Sequence, residues 1–289
     1  MPDSDQRTAG ASSDHKLNLL FGIDLEDVRD HIPDGSRYQD RLGFNVERIL
    51  RFLDDHQTKA TFFTVGLVAR RLPGLVKTIA DEGHELASHS DRHVQLNKLT
   101  PEEFSSDLKR SIDALEQVGS HRVSGFRAPT FSLTPSCEWA YDAFVQNNLL
   151  YSSSILAAKN PLFGWPGFGT QPRRMRPSLI EIPVSLHRAP LPRLPLLGGV
   201  YLRVLPFSLT RISLFRHNRE LPVTSYMHPY DIDQDQERFM HPDLNGNRLM
   251  NWLMYQNRNK TLVRLSRIMN SCRSWRYIDW VDQYSSEIK

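Results

Sequence analysis

Apolar residues come in short blocks along the first two-thirds of the chain, and the blocks alternate between two periods. The run 17–23 is almost wholly apolar and stops at Asp24, which is the pattern of a strand buried on both faces. Phe44, Ile49, Phe52 and Leu53 then recur at helical spacing and predict a helix over about 44–56. The segment 59–65, rich in β-branched and aromatic residues, predicts a second strand, and a helix over about 67–82 ends at Gly83. His84 to Ser88 predicts a third strand. Thr100 and Glu103 form a capping-box pattern, with Pro101 at the first helical position, for a helix running to about Val118. Further strands are expected at about 122–126 and 149–153, separated by a helix that starts at Thr134 and runs to about Asn147.

Repeated strand–helix units imply a parallel sheet, open or closed into a barrel. In a barrel the chemistry sits at the C-terminal ends of the strands. Polar residues with chemical potential fall there: Asp24, Glu26 and Asp27 after the first strand, His89 and His93 after the third, Arg127 after the fourth. Two further strands are expected at Leu179–Ser185 and Pro222–His228, the second ending in a histidine. Beyond Asp243, two helices at Leu249–Tyr255 and Thr261–Met269 should pack on the outside.

Composition narrows the picture little. The 289 residues are 39% hydrophobic and 24% charged with a net charge of +3, an ordinary globular balance that gives no argument for nucleic acid. The charge is uneven, however. Residues 158–219 hold ten Lys/Arg against the single acid Glu181, and nine of the eighteen prolines. Arginines set among Leu, Phe and Pro suit either a solvated basic face or contact with diphosphate or anionic lipid headgroups. Cys137 and Cys272 show no metal or disulfide spacing, which points to a reducing compartment. The polar stretch 1–15 has no apolar signal core and is expected to be a disordered leader, with residues 16–289 forming one domain whose helical extension begins at about 243. A cytoplasmic location follows, with the inner face of the membrane as a peripheral site.

The chemistry centres on the run 83–93, where His89 and His93 stand four residues apart. With a carboxylate from the end of the first strand they are the parts of an Asp/Glu-His-His metal site, which leaves positions open for water and substrate. Strand alternation puts Glu26 on the side of Asp24, whereas Asp27 is better placed if the strand has already ended. Both stay candidates for the third ligand. Trp165, Phe163 and Phe168 suit either stacking on a pyranose ring or packing within a loop.

Five motifs in order give the chain a family resemblance: Ile-Asp-Leu-Glu-Asp (23–27), Ser-His-Ser-Asp-Arg-His (88–93), Gly-Phe-Arg-Ala-Pro (125–129), Tyr-Ser-Ser-Ser-Ile (151–155) and Tyr-Met-His-Pro-Tyr-Asp (226–231). Together they resemble the polysaccharide deacetylases of the NodB-homology superfamily (carbohydrate esterase family four). The runs 197–203 and 255–261 look like the exopolysaccharide-locus subgroup with a C-terminal extension. The resemblance implies a distorted (β/α) barrel of about seven strands and one divalent metal. Zinc is the expected ion, and a His₂-carboxylate set also accepts cobalt, manganese or nickel. It implies removal of an acetyl group from an N-acetylated sugar, in a polysaccharide or its lipid- or nucleotide-linked precursor. By the same resemblance Asp24 matches the general base, His89 and His93 the metal histidines, Arg127 the residue that orients the base, and His228 the general acid. A backbone N–H near Thr130, where many relatives have tyrosine, would serve the oxyanion. Ser152 stands where the subgroup commonly has aspartate. The competing readings are a related amidase acting on a cyclic amide or formamide, and a non-catalytic glycan-binding scaffold.

Overall fold

The computed structural model describes residues 16–159, 164–188 and 193–289. The first apolar run forms two short strands, β1 (Leu17–Leu20) and β2 (Gly22–Leu25), with a break at Phe21. The break lets one run serve two sheets. β2 opens the order β2-β3-β4-β5-β6-β8-β7, whose other members are β3 (Thr61–Thr64), β4 (Glu85–Ser88), β5 (Gly125–Phe126), β6 (Tyr151–Ser152), β7 (Arg173–Arg176) and β8 (Leu179–Glu181). Every pairing in it is parallel except the edge hairpin β7/β8. β1 lies inside a second parallel sheet with β9 (Leu197–Gly198), β10 (Val223–Tyr226) and β11 (Cys272–Trp275), in the order β11-β1-β10-β9.

The two sheets join where β10 runs on to Met227. That residue bridges Ile23, and its carbonyl accepts from the Asp24 N–H at 2.8 Å. On the other side Thr224 meets the chain after β8 through side-chain hydroxyls: Ser185 N–H donates to Thr224 Oγ1 at 2.8 Å and Thr224 N–H to Ser185 Oγ at 3.0 Å. The parallel α/β arrangement is consistent with the barrel expectation, and at this second junction a hydroxyl exchange stands instead of a backbone ladder.

The helices are α1 (Leu42–Asp55), α2 (Gly66–Arg71), α3 (Pro73–Asp81), α4 (Pro101–Gly119), α5 (Ala140–Gln146), α6 (Gly199–Val204), α7 (Phe207–Phe215), α8 (Arg248–Met254), α9 (Thr261–Met269) and α10 (Tyr277–Tyr284). The helix expected over 67–82 is split at Leu72, because Pro73 cannot donate to the preceding turn and opens a new helix instead. The capping box of α4 is present in full: Glu103 N–H donates to Thr100 Oγ1 at 3.2 Å and Thr100 N–H to Glu103 Oε2 at 2.8 Å. The region after 243 is not helical throughout. It returns to the sheet as β11, pairing with β1, and α10 then sends Tyr277 into the interior, where it is fully buried. One hydrophobic cluster runs from Leu17 to Cys272, so early and late segments share a core.

His84, just before β4, is buried and its Nδ1 accepts the Ala60 N–H at 3.1 Å. Burial, then the nearby Lys59 and Arg276, lower its pKa from 6.5 to about 4. The folded state thus holds this ring neutral while the unfolded chain takes up a proton at higher pH. Stability from this group is complete above about pH 6.5 and is lost as pH falls toward 4, by roughly 3 kcal/mol at most. Urea titrations across that window should show a shallower acid loss in His84→Gln than in the native sequence; equal slopes would remove His84 from the account.

Candidate active site

The carboxylates after β2 separate into different tasks. Asp24 is still on the strand and is buried, and Arg127 Nη1 donates to its Oδ1 at 2.6 Å. Arg127 follows β5 and is itself fully buried. Its Nη2 donates to the Tyr277 hydroxyl at 2.8 Å, its Nε to the Ser153 carbonyl at 3.2 Å, and its guanidinium lies 3.9 Å from the centre of the Phe63 ring. A methyl group at Gly22 would sit 2.9 Å from two guanidinium nitrogens, so glycine is what allows Arg127 under β2.

Glu26 faces the histidines. Its Oε2 is 2.6 Å from His93 Nε2 and 4.0 Å from His89 Nε2, yet no group meets that oxygen in hydrogen-bonding geometry. His89 Nδ1 is 2.7 Å from the Arg127 carbonyl, which fixes the proton there and leaves Nε2 as a free lone pair. Burial pushes the His89 pKa down to about 4, so the ring is neutral at ordinary pH. Burial by itself would raise the Glu26 pKa, but His93, with His228 and His89 behind it, overrides that and holds the carboxyl well below its usual range. One donor atom from each of Glu26, His89 and His93 lies within 4.8 Å of the others. An ionised carboxylate with an orphaned oxygen and a neutral imidazole aimed at it fit a divalent cation.

Asp27 takes the other option. It turns away, caps the following turn through the Arg29 N–H at 3.1 Å, and pairs with Arg29 and Arg71, each at 2.6 Å. Of the two carboxylates left open by the sequence, only Glu26 stands with the histidines.

His228 follows β10 and closes the other side. Its Nε2 is 3.8 Å from Asp24 Oδ2 and 3.7 Å from Glu26 Oε1, and its Nδ1 is 3.2 Å from Asp231 Oδ2. Burial alone would lower its pKa, but the bond to Asp231 and the charges of Glu26, Asp231 and Asp24 raise it to about 9. Asp231 is in turn paired with the fully buried Arg203 of α6 at 2.7 Å. Sequence reasoning gave no role to either residue. The signal lay in the run 197–203: a methyl group at Gly199 would come within 2.1 Å of the Asp231 carboxylate, and Arg203 lies one turn further on.

Thr130 lines the same cavity, and with Phe131 it holds the left-handed backbone region (φ 54° and 56°). The loop carrying it is pinned from the next strands: Ala128 N–H donates to Ser154 Oγ at 2.9 Å, and Ser154 N–H donates to Glu181 at 2.7 Å. Glu181 is the register partner of Ser152. A buried carboxylate therefore stands one strand over from the position where the resemblance expects aspartate, and burial pushes its pKa up to about 7. Trp165 does not face the cavity. It is half-buried against the core, edge-on to Phe168 at 5.2 Å; Phe163 lies outside the described residues. The cavity, about 210 Å³, is walled instead by Tyr201, Tyr226 and Tyr230, with Met250 and Met254 from the late helix α8.

Residues 34–143 match the polysaccharide deacetylase family model, and residues 153–282 match a domain of unknown function, DUF3473. Over 106 residues the chain is 32% identical to a peptidoglycan-N-acetylglucosamine deacetylase of Bacillus cereus, covering 37% of this chain and 34% of that protein. Over 72 residues it is 40% identical to the peptidoglycan-N-acetylglucosamine deacetylase PgdA of Listeria monocytogenes, covering 25% and 16%. The chain thus spans about a third or less of these curated relatives. Among solved structures, a Mycobacterium smegmatis protein described as a polysaccharide deacetylase superposes with a TM-score of 0.65 at 19% identity, over 96% of this chain and 93% of that one. The PuuE allantoinase superposes with a TM-score of 0.60 at 14% identity, over 95% and 92%. Both likenesses are to the fold.

The geometry separates the two acidic neighbours experimentally. Glu26→Gln should weaken zinc binding by about a hundredfold or more in a chelator-competition titration, whereas Asp27→Asn should leave it within about threefold and lower thermal stability instead. The reverse pattern would assign the ligand to Asp27.

Proposed function

We propose that this chain, whose residues 34–143 match the polysaccharide deacetylase family model, is a deacetylase of the NodB-homology superfamily that hydrolyses the N-acetyl group of an amino sugar with one divalent metal held by Glu26, His89 and His93. The observation that carries this reading is the joint placement of Asp24, Glu26, His89, His93 and His228 around one cavity. A binding module has no use for an ionised carboxylate and a protonated imidazole on opposite sides of a cation-ready corner. The relatives named above act on peptidoglycan N-acetylglucosamine. For this chain the substrate proposed is an N-acetylated sugar in a polysaccharide or its carrier-linked precursor, and zinc is the proposed ion. The proposed location is the cytoplasm, at or near the inner membrane face; no helix among the described residues is long and apolar enough to cross a membrane.

When bound, a divalent ion supplies Lewis acidity toward the amide oxygen and toward water. The chain's own residues supply the proton movements. Arg127 takes up Oδ1 of Asp24, leaving Oδ2 on the side of His228. From there Asp24 takes a proton from the water that adds to the amide carbon. The backbone N–H of Thr130, a residue that lines the cavity, would support the negative oxygen of the tetrahedral adduct; the neighbouring Phe131 N–H is already bonded to the Ala128 carbonyl. His228, kept protonated by Asp231, gives the Nε2 proton to the departing sugar nitrogen, because an amine anion is too basic to leave unaided. The C–N bond breaks, and acetate and the free amino sugar result. Trp165 is retained as a substrate residue only for a sugar unit lying beyond the cavity.

Acetate release from N-acetylglucosamine oligomers tests the reading. Activity should disappear with a chelator and return with zinc. His228→Ala should lower kcat by about 10²–10⁴-fold with metal content unchanged, and Asp24→Asn by a similar factor. Turnover that persists in chelator, or loss of metal from His228→Ala, would overturn the assigned roles.

A further inference from the structure

Helix α7 (Phe207–Phe215) has two unlike faces. Thr210, Ser213 and Leu214 are buried, and Ser213 Oγ meets His187 Nδ1 at 2.7 Å, which anchors the helix on the body of the protein. The opposite face carries Ser208, Arg211, Ile212, Phe215 and Arg216, spaced three and four apart and therefore side by side. Phe215 is 82% exposed and Ile212 is 45% exposed. An isolated exposed apolar residue is ordinary, but an exposed phenylalanine one turn from an exposed isoleucine, with an arginine beside each, is a patterned surface. Arg188 approaches from the segment after β8, close enough to act on His217 just beyond the helix. Residues 182–219 contain no acid at all. The same segment reaches the cavity, since α6 ends three residues before α7 begins and contributes Val200 and Tyr201 to its wall.

We infer that the outward face of α7 docks the protein on an anionic lipid surface, with Phe215 and Ile212 entering the headgroup boundary and Arg211, Arg216 and Arg188 meeting lipid phosphates. Charge decides the occupant. A second copy of the chain packed face to face would set arginine against arginine, and a neutral glycan would give the two apolar side chains nothing to enter. A sheet of phosphates over acyl chains meets both needs at once. This surface is independent of the deacetylase reading: lipid binding and acetate release are measured separately, and either can fail alone.

The 289-residue chain is tested by co-sedimentation with phosphatidylcholine vesicles containing about a third phosphatidylglycerol, and with phosphatidylcholine alone, at low and high salt. The expected result is partition onto the anionic vesicles that weakens with salt. The pair Ile212→Ser and Phe215→Ser should reduce it by about tenfold or more. The pair Arg211→Glu and Arg216→Glu should abolish the preference for anionic lipid while melting like the native chain. If the serine pair melts early, the glutamate pair decides. The inference is overturned if the native chain stays in the supernatant, if either pair partitions unchanged, or if the serine pair instead abolishes a concentration-dependent self-association of the native chain.

Discussion

The guanidinium of Arg127 is the constraint on which the rest of the structure depends. From one buried position it bonds Asp24 at the end of β2, Ser153 beyond β6 and Tyr277 of α10, and it lies over Phe63 of β3. Its own carbonyl fixes the tautomer of His89 beyond β4. A charge so placed is costly to desolvate, and its removal would take from the buried Asp24 its 2.6 Å guanidinium partner, a loss typically of about 3–5 kcal/mol for a broken buried pair. The packing of the interior and the geometry of the candidate site are therefore joined in one side chain. The group that holds Asp24 also ties the strand ends together at the mouth of the sheet.

The other half of the site depends on the late part of the chain. His228 is oriented by Asp231, Asp231 is held by Arg203, and Gly199 leaves room for the carboxylate. The Arg203 guanidinium is tied further to the carbonyls of Met254 and Gln256, at the end of α8. The region matched by DUF3473 is thus not an appendage to a finished site. It contributes the imidazole opposite Glu26, the charges behind that imidazole, and much of the cavity wall.

Local signals made much of this legible in the sequence. Apolar runs ending in acids and histidines located β2, β4 and β10, and Thr100 with Glu103 located the start of α4. Alternation along β2 favoured Glu26, but Asp27 stayed open because its fate depends on Arg71, 44 residues away. No local pattern announces a partner at that distance. The same limit explains Glu181, which stands beside Ser152 only through strand register, and Tyr277, which reaches Arg127 across 150 residues. Trp165 shows a different limit. An aromatic residue among glycines and prolines suits a sugar face as well as a loop core, and composition cannot tell the two apart. The break at Phe21 and the return of β11 were missed because strands of four residues are too short to announce which neighbour they will choose.

β1 sits between β10 and β11, with Leu19 in register with both Val223 and Ser274. β1 thus has no partner in this sheet until segments about 200 residues or more later in the chain have been synthesised. An apolar ribbon must wait for them unpaired. Loop closure over such separations is slow, and an unpaired strand edge invites association with other chains. Production of this protein is therefore sensitive to whatever shields that ribbon while the chain is incomplete, and a copy shortened before Cys272 would leave β1 with an open edge for good.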